Sequence, residues 1–195
     1  MVITCQGDSY FKIQSGSFTL LIDPANARSF KGANIVLHTK TPPVMEAPDD
    51  GEEDGEELFW IENAGEYEID GVRVEGWNAE MKKGKTINAY RLEMEDMEVG
   101  VVGALSEAPT AEVVEGLGEV NILVISAGGE NLLDTREAVK LARQIEPGIV
   151  IPYGEEKNIK KFFADLGQSP NPEEKLVIKK KEIADGKITG VWLKA

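Results

Sequence analysis

The residues best suited to metal or nucleophilic chemistry are few in this 195-residue chain. It contains a single histidine, His38, and a single cysteine, Cys5. One cysteine cannot form an intramolecular disulfide or a cysteine-rich zinc or iron–sulfur site, and one histidine cannot build a multi-histidine metal centre. Composition therefore excludes most classes of metalloenzyme.

The remaining candidate side chains each have a structural alternative. His38 ends a predicted strand, where we expect a hydrogen-bonded sheet residue, because acid–base catalysis needs a positioned partner. Cys5 lies on an early predicted strand and is expected to be a small core residue, although a Cys5–His38 dyad stays open. Asp23 precedes a proline, where aspartate caps turns, but with Asp8 it could instead hold magnesium.

The net charge of the chain limits the classes of molecule that it is expected to bind. Acidic residues outnumber basic ones by 35 to 21, which gives a formal net charge of −14. Such a field repels nucleic-acid backbones and anionic lipids, so we expect neither nucleic-acid nor membrane binding. The N-terminus has no signal-peptide pattern, and no apolar run approaches the ~18 residues of a membrane span. We predict a soluble cytoplasmic protein with one domain over residues 1–195.

Residues 46–57 form an acidic run, with eight acidic side chains among twelve residues. Like charges repel and nothing apolar anchors them, so the run predicts a solvated, mobile loop. Asp50 and Asp54 match the first and fifth positions of an EF-hand loop, but Ile61 stands where its bidentate glutamate belongs. We therefore reject an EF-hand, and weak cation binding stays a hypothesis.

Short β-prone runs fill the first hundred residues. We predict strands at Val2–Cys5, Tyr10–Ile13, Phe18–Ile22, Ile35–His38, Leu58–Ile61, Tyr67–Ile69, Val72–Val74, Ile87–Glu93 and Val99–Val102. Asp70-Gly71 predicts a tight hairpin between two of these runs. Their density indicates an antiparallel or mixed sheet system.

Helical periodicity appears only in the second half. Helices are predicted at Thr110–Leu117, at residues 134–145 with Asp134 as the N-cap, and around residues 159–166. The buried runs Val120–Ile125 and Ile149–Ile151 flank the second helix, which predicts a parallel strand–helix–strand crossover. Leu176–Ile178 and Ile188–Leu193 are predicted as a terminal strand pair. These elements together predict a mixed α/β fold.

Several segments carry a family signature, in the same order along nearly the whole chain. Gly65-Glu66-Tyr67-Glu68-Ile69 is the most specific, and Leu21-Ile22-Asp23-Pro24 and residues 33–39 accompany it. These segments resemble the metallo-β-lactamase superfamily, and most closely its branch of short bacterial zinc-dependent hydrolases of the β-lactamase fold. The resemblance implies an α/β (α+β) fold arranged as a four-layer αββα sandwich.

The family's metal ligands do not carry over to the matching positions. Where the family reads T-H-x-H-x-D-H, this chain reads Thr39-Lys40-Thr41-Pro42-Pro43-Val44-Met45. The family's H-L-G-D is Val101-Val102-Gly103-Ala104, its I-P-x-H ends on Gly154, and its opening Gly-His is Gly7-Asp8. Zinc in hydrolases needs about three imidazole, carboxylate or thiolate ligands, and most of these replacements offer none.

The resemblance therefore implies a pseudoenzyme without a metal cofactor. We expect a binding or scaffolding module for an unidentified protein or small molecule, with a homo-oligomer left open. The alternative is a residual metal-dependent hydrolase that uses carboxylates such as Asp8 and Asp23. The positions expected to mark the vestigial pocket, partly filled by residues 42, 44, 45 and 101, are Asp8, Asp23, His38, Lys40, Pro42, Val44, Met45, Val101, Ala104 and Gly154.

Overall fold

Two β-sheets dominate the computed structural model, which describes residues 1–25, 30, 32–41, 58–82, 84–184 and 186–195. The strands are β1 (Val2–Gly7), β2 (Tyr10–Ser15), β3 (Phe18–Ile22), β4 (Ile35–Leu37), β5 (Phe59–Ile61), β6 (Gly65–Ile69), β7 (Val72–Lys82), β8 (Lys85–Met94), β9 (Met97–Val102), β10 (Ile122–Ser126), β11 (Ile149–Tyr153), β12 (Pro172–Glu173), β13 (Leu176–Val177), β14 (Thr189–Gly190) and β15 (Trp192–Leu193). The α-helices are α1 (Ala111–Leu117), α2 (Thr135–Ile145) and α3 (Glu156–Leu166).

The order of strands makes both large sheets mixed. The first sheet runs β13-β1-β2-β3-β4-β5, and the second runs β14-β11-β10-β9-β8-β7-β6. Hairpins join β1 to β2 and β2 to β3, whereas β3, β4 and β5 are parallel. In the second sheet β6 to β9 are antiparallel, and β9, β10, β11 and β14 are parallel. The predicted mixed α/β fold is confirmed.

Alternation along the strands builds one core between the sheets and another outside the second sheet. Val99 and Val101 of β9 belong to the inner core, together with Phe11 and Leu20 of the first sheet. Val102 points to the other face and packs in the outer core. Because successive side chains of a strand face opposite sides, one apolar strand supplies both layers.

The three described α-helices cover the second sheet. The α2 helix begins as predicted, since the Asp134 side chain accepts a hydrogen bond from the Arg136 backbone N–H at 2.8 Å. Its buried face includes Ala138, Leu141 and Ile145. The β10–α2–β11 unit places β10 and β11 side by side in parallel, as the crossover predicted. Against the outer face of the first sheet, the described residues form a smaller apolar cluster that includes Phe30.

Two sequence predictions were wrong in detail. The terminal strand pair does not form: β13 adds to β1, β14 adds to β11, and β15 pairs with β12. Sheet edges formed earlier in the chain offer unpaired backbone groups, and these decide the pairing of such short segments. The strand β7 is also much longer than the predicted Val72–Val74, because its pairing with β8 overrides the weak strand preference of Gly76 and Asn78. The strand β8 extends the predicted Ile87–Glu93 by a few residues.

Candidate functional site at the strand ends

Asp23 and His38 directly follow the ends of β3 and β4, which are parallel neighbours in the first sheet. Asp23 follows β3 and adopts a left-handed backbone conformation, with φ of +47°, which aspartate tolerates better than most residues. Its backbone N–H donates to the Leu37 carbonyl at 2.9 Å, which ties the end of β3 to β4. Carboxyl ends of neighbouring parallel strands meet at one edge of a sheet, so the two side chains lie close together.

The Asp23 carboxylate is already used within the fold. Its Oδ1 accepts from the Thr39 backbone N–H at 2.8 Å, and its Oδ2 accepts from the Thr39 hydroxyl at 2.5 Å. The exposed fraction is 7% for Asp23 and 2% for Thr39, so water does not compete with this pair. Both carboxylate oxygens therefore have a structural role at the end of β4.

His38 is buried beside this pair, with 2% of its surface exposed. Its Nδ1 lies 3.9 Å from Asp23 Oδ1, and its ring stacks on Trp60 with 6.0 Å between the ring centroids. Burial lowers the pKa of His38 below its ordinary value, and the nearby Asp23 charge only partly opposes this. Its Nε2 is buried and makes no hydrogen bond within the described residues. His38 is therefore a neutral imidazole whose Nε2 lacks a hydrogen-bond partner among the described residues.

A polar network connects His38 to the second sheet. The Tyr90 hydroxyl donates to the His38 carbonyl at 3.1 Å and accepts from Asn88 Nδ2 at 3.0 Å. The Asn88 backbone N–H donates to the Thr39 carbonyl at 2.7 Å, and Lys40 forms an isolated β-bridge with Ile87. Burial raises the pKa of Tyr90 above its ordinary value, so this phenol stays protonated and can donate.

Sequence reasoning missed Asn88, Tyr90 and Thr39. Asn88 and Tyr90 share one face of β8. Their partners lie far away in the sequence, so no local pattern indicates them. The only available signal was a polar amide that strand alternation places on the same face as Tyr90 and Leu92.

A tyrosine occupies the core at the end of β11. Tyr153 is buried, donates its hydroxyl to the Val102 carbonyl at 3.2 Å and packs edge-on against Phe11. Burial, and secondarily the charge of Asp23, raises the pKa of this phenol above its ordinary value. The next residue, Gly154, has φ of +123°, and a Cβ built on it would meet no atom within 4 Å. The position that resembles a family ligand is thus an open glycine beside a tethered tyrosine.

Two small cavities flank the turn between β1 and β2. The first, which we call the Asp8–Lys40 cavity, has a volume of about 230 Å³ and is lined by residues that include Asp8, Asp23, His38 and Lys40. The second, which we call the Gly154 cavity, measures about 250 Å³, and its lining includes Asp8 and Gly154. The structure therefore brings four of the predicted positions to one cavity and a fifth to its neighbour.

Two further predicted positions, Val101 and Ala104, are described and lie elsewhere. Val101 is buried in the core between the sheets, and Ala104 is half-buried; neither lines the two cavities. Pro42, Val44 and Met45 lie outside the described residues, as does the acidic run 46–57.

Cys5 and His38 belong to different cavities. Cys5 is half-buried in the wall of the Gly154 cavity, whereas His38 lies in the wall of the Asp8–Lys40 cavity. Burial is also the main reason why the pKa of the Cys5 thiol is raised, which disfavours the thiolate. This arrangement does not favour the dyad.

The donor set does not fit a zinc centre of the usual kind. Within the described residues, no group of three or more His, Cys, Asp or Glu side chains is placed to hold a metal ion. Asp23 is committed to Thr39, and the ammonium of Lys40 in the same cavity would repel a cation. No chemical step through a metal is therefore derived for this site.

Two packed mixed sheets, helices outside the second sheet and a site at the strand ends define the architecture of a metallo-β-lactamase-fold protein. The chain belongs to the β-lactamase superfamily, because residues 2–154 match the family described as "Beta-lactamase superfamily domain". No curated protein matches the chain significantly.

Solved structures share the fold along nearly the whole chain. A protein from Thermotoga maritima, described as a Zn-dependent hydrolase of the metallo-β-lactamase superfamily, is 22% identical, with 99% of each chain covered and a TM-score of 0.75. A metallo hydrolase from Ignicoccus hospitalis is 13% identical, covering 91% of this chain and 99% of its own, with a TM-score of 0.63. An isothiocyanate hydrolase from Delia radicum gut bacteria is 10% identical with the same coverage and a TM-score of 0.62.

The α-helices in the described part of the chain are 7 to 11 residues long. None of the helices there is long and apolar enough to cross a bilayer.

Proposed function

We propose that this chain is a metal-free, catalytically inactive member of the superfamily that acts as a binding or scaffolding module. The observation that carries the proposal is the state of the strand ends: Asp23 is committed to Thr39, and Lys40 and Gly154 stand where the family places histidines. The proposed occupant of the site is a partner protein or a small molecule.

The proposal has a direct chemical reason. Zinc lowers the pKa of bound water from 15.7 to about 7, which supplies hydroxide at neutral pH. Lysine, proline, valine, methionine, alanine and glycine provide no imidazole nitrogen or carboxylate oxygen for such an ion. Without a metal, the hydrolytic nucleophile of the family is lost, while the fold around the site is retained.

The alternative is a residual metal-dependent hydrolase built from carboxylates. Asp8 favours it to a degree, because this exposed side chain lines both cavities and has no ion-pair partner in the described part of the chain. Asp23 argues against it, because a metal would have to replace both hydrogen bonds from Thr39. We therefore favour the binding module.

The proposed setting is the cytoplasm of a bacterium, without nucleic-acid or membrane partners. The net charge of −14 supports the expected lack of nucleic-acid and membrane partners, because it opposes association with polyanions. Self-association is compatible with a scaffold and is measured directly by light scattering.

Metal content tests the proposal. The full-length protein is expressed with added zinc, dialysed, and analysed for zinc, manganese, magnesium and iron, and is then titrated with zinc and manganese. We expect well under one tenth of an equivalent of bound metal and no metal-stimulated hydrolysis of p-nitrophenyl esters or phosphodiesters. Near-stoichiometric metal that Asp8→Asn removes and Asp70→Asn retains would establish the carboxylate hydrolase instead. Asp70 is a matched control, because it is another exposed turn aspartate with positive φ.

A further inference from the structure

We propose that the Asp8–Lys40 cavity binds a small zwitterion of the α-amino-acid class, which carries one ammonium and one carboxylate group. This inference rests on the proposed function, since it assigns a ligand class to a site that binds without hydrolysing.

Opposite charges reach this cavity from two elements. Asp8 lies in the turn between β1 and β2, and Lys40 follows β4. Both side chains are exposed, and neither forms an ion pair with any residue that the structure describes. A ligand with an ammonium and a carboxylate can satisfy both charges at once, whereas a simple anion would meet Asp8 and a simple cation would meet Lys40.

Asp23 is a second carboxylate in the cavity wall, but Thr39 already occupies both of its oxygens. Both oxygens of Asp23 accept hydrogen bonds from Thr39, one at 2.8 Å and the other at 2.5 Å. These bonds leave Asp8 as the carboxylate available to a ligand ammonium. The cavity wall thus carries two carboxylates and one ammonium, of which Asp8 and Lys40 are the exposed, unpaired charges within the described residues.

His38 supplies a third polar group in the cavity wall. Its Nε2 is buried without a hydrogen-bond partner in the described residues, although a buried unpaired polar atom is costly. Because Nε2 has almost no accessible surface, a ligand in the cavity meets the imidazole without reaching this nitrogen. The imidazole is uncharged because burial lowers its pKa, so it adds no charge to the cavity wall and can report ligand binding beside it.

The size of the cavity limits the ligand. Its volume of about 230 Å³ lies below the roughly 300–1,000 Å³ of cavities that hold drug-sized ligands. A free amino acid is of the right order for this volume. Ser9 and Gln6 add uncharged polar groups at the same turn.

The single histidine makes the test direct. In protein labelled with ¹⁵N-histidine, every imidazole signal belongs to His38. The probes are glycine and alanine, each compared with acetate and methylamine, which carry only one of the two charges. We expect saturable shifts of the His38 signals with an amino acid in the micromolar to millimolar range, and at least tenfold weaker responses to acetate or methylamine.

Matched variants assign the two charged contacts. Asp8→Asn keeps a residue that tolerates positive φ, and Lys40→Met keeps the length of the side chain. Each is expected to weaken amino-acid binding about tenfold or more, as expected for a lost charged hydrogen bond. Asp70→Asn, at another turn with φ of +51°, and Lys85→Met, at an exposed strand start, should leave binding unchanged.

The outcomes separate this inference from the proposed function. If no α-amino acid tested shifts the His38 signals at tens of millimolar while the protein remains metal-free, the zwitterion site is refuted and the inactive-enzyme proposal stands. Equal responses to acetate and alanine, or unchanged binding in Asp8→Asn, also refute it in favour of a plain anion site. Stoichiometric metal in the analysis above would overturn both proposals.

Discussion

The hydrogen bond between the Thr39 hydroxyl and Asp23 allows the sharpest stability prediction. Thr39→Val keeps nearly the same shape, so no cavity is created, but Asp23 Oδ2 loses its donor at 2.5 Å. Hydrogen bonds to charged groups contribute about 1.5–3 kcal/mol, and an unpaired buried acceptor also loses its solvation. Since Asp23 and Thr39 are 7% and 2% exposed, water replaces the lost donor poorly.

We therefore expect Thr39→Val to lower the free energy of unfolding by about 2–3 kcal/mol. For a chain of 195 residues this corresponds to a fall in Tm of roughly 4–12 °C. The assay is urea unfolding at pH 7, followed by circular dichroism, with the midpoint and the m-value fitted separately. Thr39→Ser, which keeps the hydroxyl, should recover most of the loss.

Thr189→Val is the matched control, because Thr189 is exposed on β14 and its side chain makes no hydrogen bond within the described structure. We expect a change within about 0.5 kcal/mol for this variant. If Thr39→Val lowers the free energy of unfolding no more than the control does, the Thr39 hydroxyl does not hold Asp23 in place. The argument that Asp23 is unavailable to a metal would then fail.

Three further predictions concern His38 and two residues at strand ends of the second sheet, Gly103 and Tyr153. Because burial lowers the pKa of His38, the stability that its neutral form contributes is fully present above about pH 6.5 and is lost as the pH falls through the lowered pKa. In urea unfolding at decreasing pH, His38→Gln should show less of this loss. In Gly103→Ala the new Cβ would lie 2.5 Å from Ile87 Cγ2, so we expect a loss of about 1–3 kcal/mol. Tyr153→Phe should lower the free energy of unfolding by about 1 kcal/mol, because it removes the hydrogen bond to the Val102 carbonyl. In the wild type, an ultraviolet pH titration should show this phenol ionising above the ordinary tyrosine range.

Each of these has a contradicting outcome. An NMR titration in which His38 protonates at or above pH 6.5 would show that burial does not control its charge. A Gly103→Ala variant as stable as Gly129→Ala, whose Cβ would meet only the Asn158 side chain at 3.2 Å and Leu132 at 3.8 Å, would show that the Gly103 contact relaxes without cost. A Tyr153→Phe variant with unchanged stability would show that the hydroxyl bond has no net effect.

Periodicity predicted much of the fold because the two kinds of element bury their apolar residues in different patterns. The Asp134 cap and the apolar face of α2 were readable in the sequence, as were the Asp70-Gly71 hairpin and the buried run that became β10. The terminal segments β13 to β15 were not readable. Two-residue strands carry no periodicity, and their partners are set by whichever sheet edge lies nearby.

The sequence by itself determined which chemical groups are available. One histidine, a lysine at position 40 and a glycine at position 154 are properties of the chain that no folding can change. The tertiary structure alone decided how the remaining polar groups are used. It committed Asp23 to Thr39, left His38 Nε2 without a partner among the described residues, and brought Asp8 and Lys40 to one cavity. These contacts join residues on separate strands and turns, and only the pairing of β3 with β4 and the packing of the two sheets fix the distances between them.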